Sequence, residues 1–243
     1  MKTLPNVELL ARTTGFRSNV PFSPEQLGLL VSTLRRDLGT LLPEFVVDEK
    51  IKTWTMRSRD KDVAKQSSLV LIENGVSVIW GHECERGLDR KLTDSMCKAS
   101  EETLTYIATL LQFVEAEYVF EFRTSENHYA VISDVFFGNG PLADVALAPR
   151  KHLTNDFAFR VLLDDARVLI IRATGSHNEG DIVLGRQGAE KLRIRVSVGQ
   201  NDGFFESALL SVVDSHVKFV ENLMESEIVP RVIEPLSQRV QRA

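Results

Sequence analysis

The amino-acid sequence predicts an α+β protein in which a mainly antiparallel sheet packs against three main amphipathic helices. Apolar and polar residues alternate over several short runs, which is the pattern of a strand with one buried face. Short polar connections, including one Asn-Gly pair, join some of these runs as hairpin turns would. Three longer segments carry apolar residues at helical spacing and do not alternate with strands in βαβ order. An antiparallel sheet is therefore expected.

The clearest strand signal lies in the middle of the chain. Tyr118–Arg123 and Tyr129–Phe137 are rich in aromatic and β-branched residues, and the polar segment Thr124–His128 separates them. In the first run Tyr118, Phe120 and Phe122 share one face. The two runs predict a hairpin around which the sheet is organised.

Before this hairpin the sequence predicts one helix, a set of strands and a second helix. Ser23-Pro24-Glu25-Gln26 begins the first helix, because Ser23 can cap it and Pro24 suits its first turn. Strands are predicted at Val7–Leu10 (a short edge strand), Phe45–Val47, Lys52–Arg59, Ser68–Glu73 and Val76–Trp80, the last two joined through Glu73-Asn74-Gly75. After a polar loop at Gly81–Leu92, the second helix is expected from Asp94 or Ser100 to Val114.

The second half of the chain repeats this order of elements. A long connection, Gly138–Asp156, precedes strands at Phe157–Leu163, Arg167–Ala173 and Lys191–Val198 and a last helix at about Phe204–Glu227, which Pro230 and Pro235 are expected to break. The chain is therefore either a single α+β unit of residues 1–243 or two joined halves, 1–92 and 93–243.

Composition limits the class of protein. The net charge of −5 argues against a general nucleic-acid binder, although it leaves room for a local basic patch. Two cysteines, no apolar run of membrane-spanning length and no secretory pattern predict a cytoplasmic protein that neither enters a membrane nor carries a disulfide framework. No cofactor motif is found, and the cluster His82-Glu83-Cys84-Glu85 lacks the paired ligands of a zinc site, so neither a cofactor nor a metal is expected.

Two groups of residues could carry chemistry. The weak catalytic candidates are His128, Asp134 and His177, which would have to meet beneath the connection at residues 138–156.

Two basic ladders are more distinct: Lys191, Arg193 and Arg195 alternate along one strand, and Arg57, Arg59 and Lys61 follow another. If the two strands were neighbours, the ladders would form one surface for nucleic acid or another anion. The simpler interpretation pairs these cations with carboxylates on adjacent strands, and it is favoured.

The last long helix offers a surface for another chain. If its apolar face does not cover the protein's own core, Leu209, Val213, Val217 and Val220 are expected at the contact. Acidic residues are concentrated at 101–140 and basic residues at 149–200, an uneven distribution that can orient a partner or a second copy.

The same helix carries a resemblance to a known family. The segment Val213–Phe219, followed by Leu223–Ile228, and the order of elements resemble a sporadically distributed family of uncharacterised bacterial proteins of about this length. In that family a late helix carries a His soon after a Leu-rich turn, with an aromatic residue and an Ile-Thr pair beyond. Here Ile228-Val229 stands in place of Ile-Thr. The resemblance implies a bacterial cytosolic protein and supplies no activity.

Three classes of function follow. The first is a non-enzymatic interaction protein, an adaptor or subunit that binds a protein partner or associates with itself. The second is a nucleic-acid-associated protein that uses the basic ladders. The third is an enzyme with a pocket under residues 138–156. They are expected in that order.

Overall fold

The computed structural model describes residues 4, 6–107, 111–124, 156–164, 166–176, 190–200 and 208–241. These residues form one antiparallel sheet whose nine strands lie in the order β2-β3-β4-β5-β1-β6-β9-β8-β7. The strands are β1 (Val7–Ser18), β2 (Glu44–Asp48), β3 (Thr53–Arg57), β4 (Ser67–Ile72), β5 (Gly75–Trp80), β6 (Leu111–Thr124), β7 (Asp156–Leu162), β8 (Arg167–Ser176) and β9 (Glu190–Gln200). The predicted α+β class with an antiparallel sheet is confirmed.

Three main helices accompany the sheet: α1 (Pro24–Leu38), α2 (Arg86–Thr103) and α3 (Leu209–Leu223). The predicted start of α1 is confirmed, because Ser23 Oγ accepts from Gln26 N and the Gln26 side chain accepts from Ser23 N. The boundaries predicted for α2 are wrong. Leu104 is already extended and Tyr106 has a φ of 58°, so the helix ends there and Leu111 begins β6.

The chain remains helical from α3 to residue 241, through the predicted break. A π-helical segment, Met224–Ile233, connects α3 to α4 (Glu234–Gln241). In this segment the Glu234 N–H donates to the Val229 carbonyl, five residues earlier. The wider π turn accommodates Pro230, which has no N–H to donate, so the proline does not end the helix.

The strand β1 is central, which corrects the prediction of a short edge strand. It has 12 residues and pairs with β5 on one side and with β6 on the other. Both edges of β6 are occupied as well, by β1 and β9. The second arm of the predicted central hairpin, Tyr129–Phe137, lies outside the described residues.

The order of elements repeats around the β1–β6 pair. One half contains β1, α1, β2–β5 and α2, and the other contains β6, β7–β9 and α3. In each half the first strand pairs with the last one, β1 with β5 and β6 with β9. The boundary expected at residues 92 and 93 falls inside α2. The two halves therefore form one continuous sheet, and they join where β1 pairs with β6.

The β4–β5 hairpin is confirmed, although not for the reason that predicted it. Ile72 pairs with Gly75, so the turn consists of Glu73 and Asn74 alone. Asn74 does not adopt the positive φ that an Asn-Gly turn was expected to use. Two hydrogen bonds from residues outside the hairpin stabilise the turn instead: Ser18 N donates to Asn74 O, and Phe22 N donates to Glu73 O.

The apolar core lies between one face of the sheet and the helices. The clean alternation predicted in β9 is confirmed, since Leu192, Ile194, Val196 and Val198 are all fully buried. The residues proposed as an interface with another chain are in this core too. Leu209, Val213 and Val220 are buried, and Val217 is partly buried against the cluster that contains Leu209 and Val213. This apolar face covers the protein's own sheet and α2, so the condition under which these four residues were expected to contact another chain is not met here.

A buried histidine in α3 gives the stability of the protein a pH dependence. His216 is fully buried, and its Nε2 lies 2.9 Å from the Val198 carbonyl. Burial lowers the pKa of His216 below its ordinary value, and the Arg167 charge adds to the effect. The unfolded state therefore binds the proton more readily, so this contribution is complete above about pH 6.5 and is lost as the pH falls below it.

We expect a His216→Gln variant to show a smaller loss of stability between pH 7.5 and pH 5 than the wild type shows. Glutamine can still donate to the Val198 carbonyl, but it does not titrate. Urea unfolding at the two pH values measures the difference. An equal loss in both proteins would mean that His216 is not the group responsible.

Candidate functional site

The sheet has two chemically different faces. The described helices pack on the face that carries Phe16, Val78 and Phe120, which we call the helix face. The opposite face carries the predicted ladder Lys191, Arg193 and Arg195, and we call it the ladder face. Each face contains a cavity near the β1–β6 pair.

On the ladder face the cations of β9 are paired with carboxylates of β6. Lys191 Nζ lies 2.9 Å from Glu121 Oε1, and Arg193 Nη2 lies 2.8 Å from Glu121 Oε2. Arg195 Nη1 is 3.6 Å from Glu117 Oε1. These pairs match the favoured prediction, in which the ladder is compensated by the adjacent strand.

The two glutamates of β6 differ in their electrostatics. Burial raises the pKa of Glu121, but hydrogen bonds and charge from Arg193 and Lys191 outweigh it and leave the pKa below its ordinary value. Burial raises the pKa of Glu117, and Arg195 offsets this only in part. The side chain of Glu121 is 7% exposed, so it acts as a fixed anion inside the ladder.

The second basic ladder does not join the first. Arg57 ends β3, and four strands (β4, β5, β1 and β6) separate β3 from β9. Arg59 and Lys61 are exposed and lie beyond the end of β3. The six cations therefore do not form one continuous surface, because the strands that carry them are not neighbours.

A cavity of about 410 Å³ occupies the centre of the ladder face. Its walls include Ile72 of β4 and Ile170 of β8, with four strands between them. In a flat sheet, side chains five strand spacings apart would be separated by about 24 Å. Both line one cavity of this size, so the sheet curves and the ladder face is concave.

Two glycines shape this concavity. A Cβ added to Gly15 would lie 2.5 Å from the Val76 carbonyl oxygen and 2.6 Å from Ser77 Cβ, so β1 and β5 approach closely here. A Cβ added to Gly199 would overlap Cζ of Phe113, so the phenylalanine ring lies directly on the glycine. Because Gly15 has no side chain, the bottom of the cavity stays open at that position. Because Gly199 has none, the Phe113 ring can form one wall of the cavity.

Charges of both signs line the same cavity. Glu115 and Glu117 project from β6, whereas Arg172 and Arg195 come from β8 and β9. Arg17 of β1 lies 4.0 Å from Glu115. An acidic strip therefore runs beside a basic one across the concave surface.

The second cavity, of about 1130 Å³, lies on the helix face and is lined by residues of β1, β5, β6, α2 and α3. Within it, Arg12 Nη2 donates to Asp89 Oδ2 at 3.2 Å, and the Arg12 guanidinium lies 5.5 Å from the centre of the Trp80 ring. Burial raises the pKa of Asp89 and raises the pKa of Tyr118 to about 12. This cavity contains a buried polar cluster that the sequence did not indicate.

Cys84, beside this cluster, is a poor nucleophile. Burial raises the pKa of its thiol to about 11, and Ser67 Oγ lies 2.8 Å from its Sγ. A thiol with this pKa is protonated at neutral pH, whereas a nucleophilic cysteine needs its thiolate. The predicted catalytic candidates His128, Asp134 and His177 lie outside the described residues, as do residues 138–155 of the connection.

Searches against models of protein families and against curated proteins each found no match to this chain. The resemblance carried by Val213–Phe219 therefore stays a prediction. No helix in the described part of the chain is long and apolar enough to cross a membrane. Among the described residues, no three His, Cys, Asp or Glu side chains are grouped so that they could hold a metal ion.

Proposed function

We propose that this protein is a non-enzymatic interaction protein, an adaptor or subunit, whose partner is a protein segment seated in the concave ladder face. The observation that carries the proposal is the cavity at the sheet centre, where an acidic strip on β6 runs beside a basic strip on β8 and β9. Two adjacent strips of opposite charge favour a partner whose own surface carries both positive and negative residues. The surfaces of folded proteins commonly carry both.

The shape of this face argues for a convex partner rather than a second copy of the same face. Two concave surfaces placed against each other would leave a void at the centre and lose the packing that holds an interface together. A loop, a helix or an extended segment can enter the cavity and contact Phe113 and Ile170. These apolar residues would supply the buried centre of the contact, with the charged residues around it.

A nucleic-acid partner is the alternative, and the ion pairs that the ladder cations already make argue against this alternative. Duplex and single-stranded nucleic acids present phosphates of one sign, and binding requires cations that are free to neutralise them. Glu121 already contacts Lys191 and Arg193, and Glu117 faces Arg195. The third proposal, an enzyme with a pocket under residues 138–156, rests on residues outside those described.

Charge reversal in the cavity tests the proposal. We expect the tagged protein, purified from bacterial cytosol as its predicted origin suggests, to retain a defined set of proteins. A variant with Arg172→Glu and Arg195→Glu should lose this set, because both reversed residues line the cavity. A matched variant with Arg36→Glu and Arg231→Glu changes two exposed cations on the helices and should retain it.

Nuclease treatment of the same samples distinguishes the two kinds of partner. A retained set that survives nuclease and disappears only in the cavity variant supports a protein partner. Loss of the set on nuclease treatment, or its equal retention by both variants, would overturn the proposal.

A further inference from the structure

The cavity on the ladder face carries more positive than negative charge. Its described lining contains three arginines and two glutamates: Arg17, Arg172, Arg195, Glu115 and Glu117. Arg17 Nη2 lies 4.0 Å from Glu115 Oε2. Arg195 Nη1 lies 3.6 Å from Glu117 Oε1. Among the described residues, no carboxylate oxygen lies within 4 Å of the remaining arginine, Arg172, so its charge is not compensated by an ion pair.

This uncompensated arginine lies opposite another arginine. Arg172 of β8 is the cross-strand partner of Arg195 of β9. Side chains at directly opposite positions have Cβ atoms about 4.5–5.5 Å apart, and like charges there repel each other. Glu117 does not remove this repulsion, because it lies on β6, which β9 separates from β8. Burial raises the pKa of Glu117, and the charges of Arg195 and Arg172 offset that effect only in part.

A partner in the cavity would change the surroundings of Arg172. An exposed arginine on a flat surface is solvated by water and screened by salt, so its exposure alone indicates no partner. Arg172 is exposed but lines a concave surface, and a segment that fills the cavity would displace water from it. Burying an unpaired cation costs several kcal/mol, which would cancel much of the contact. A partner seated here therefore needs an anionic group beside Arg172.

The residue next to Arg172 on the same face indicates what accompanies this anionic group. Ile170 precedes Arg172 by two positions on β8, and both side chains line the cavity. Two residues of a strand span about 7 Å. An extended segment that follows β8 matches this distance with an acidic and an apolar residue two positions apart. A helix matches it with the two residues three or four positions apart.

We propose that the partner segment carries an aspartate or glutamate that contacts Arg172 and Arg195, with an apolar side chain packed on Ile170. A guanidinium suits this role because it can donate two parallel hydrogen bonds to one carboxylate. The inference rests on the proposed function, since it describes the segment that would occupy the cavity. It adds one requirement, an acidic residue at a fixed place in the partner. A nucleic acid could bring a phosphate to Arg172, but Glu115 and Glu117 in the same cavity would repel the phosphates beside it.

Selection from a phage-displayed library of random twelve-residue peptides tests this requirement on the full-length protein. We expect the enriched peptides to share an Asp or Glu with an apolar residue two to four positions away. The most enriched sequence is then synthesised twice, once as selected and once with its acidic residue replaced by the corresponding amide. Fluorescence anisotropy should show at least tenfold weaker binding of the amide peptide, because the amide has no charge to pair with the arginines.

Three variants connect this binding to the arginine pair. Arg172→Gln should bind the selected peptide at least tenfold more weakly than the wild type does. Arg172→Glu should prefer a peptide in which lysine replaces the acidic residue, because the charges at the contact are then exchanged. Arg57→Gln changes an exposed arginine of β3 that does not line the cavity, and it should bind as the wild type does.

Failure of this inference can be distinguished from failure of the proposed function. Ser77→Trp fills part of the cavity and leaves both arginines in place. A peptide that loses affinity for Ser77→Trp but binds Arg172→Gln unchanged would occupy the cavity without the acidic contact, which overturns this inference alone. A peptide that binds both variants unchanged would contradict the proposed function as well. Enrichment of no peptide, or of peptides without an acidic residue, would also overturn the inference, whereas the proposed function is decided by the proteins that the cavity variant loses.

Discussion

Replacing Gly15 by alanine is expected to lower the free energy of unfolding by about 3 kcal/mol, the upper part of the usual range for overpacking. The added Cβ would meet the Val76 carbonyl oxygen at 2.5 Å and Ser77 Cα at 2.8 Å. Those are backbone atoms of β5, so no side-chain rotation can relieve the clash. Strands β1 and β5 would have to separate at the point where the sheet curves.

Gly28→Ala is the matched control for this change. Gly28 lies in α1, and a Cβ added there would meet nothing within 4 Å. Alanine is a better helix former than glycine, so this variant should gain up to about 1 kcal/mol. Urea unfolding measures both changes. A Gly15→Ala protein as stable as the wild type would mean that β1 and β5 are not this close.

Phe120→Ala is expected to have the larger effect, a loss of about 3–5 kcal/mol. Phe120 is fully buried on the helix face of β6, where it pairs with Leu9 of β1 and Ile194 of β9. Removing its ring would leave a cavity at the junction of the two halves of the sheet. Since a domain is stabilised by only about 5–15 kcal/mol in total, the variant would be close to unfolding at room temperature.

The control for this loss is Val47→Ala on the edge strand β2. Val47 is 45% exposed, so shortening it should change the free energy of unfolding by no more than about 0.5 kcal/mol. The two variants are compared by thermal and urea unfolding. Similar effects of the two changes would contradict the position of Phe120 in the core.

Local patterns predicted most strands because each strand has one buried face. The alternation of Leu192, Ile194, Val196 and Val198 appears directly in their burial. The same reasoning failed for β1, since a run that includes Arg12 and Thr14 on its buried face does not look like a central strand. Its position depends on pairing with β5 and β6, whose paired residues lie about 60 to 115 residues away along the chain.

The candidate sites were less predictable than the fold for the same reason. The ladder Lys191, Arg193 and Arg195 is visible in the sequence, but its partners Glu117 and Glu121 become evident only when β6 is placed beside β9. No local pattern connects Arg12 with Asp89, which are 77 residues apart. In addition, the segment that contains Asp89 was expected to be a loop, although it forms the first turn of α2.

Site-specific photo-crosslinking tests most directly whether the ladder face binds a protein partner. A benzophenone amino acid at Thr174, an exposed position on β8 of the ladder face, is compared with one at Leu29, which is 53% exposed on α1. We predict discrete protein adducts from position 174 that survive nuclease and are absent from position 29. Adducts from position 29 alone, or adducts from position 174 that nuclease removes, would contradict the proposed function.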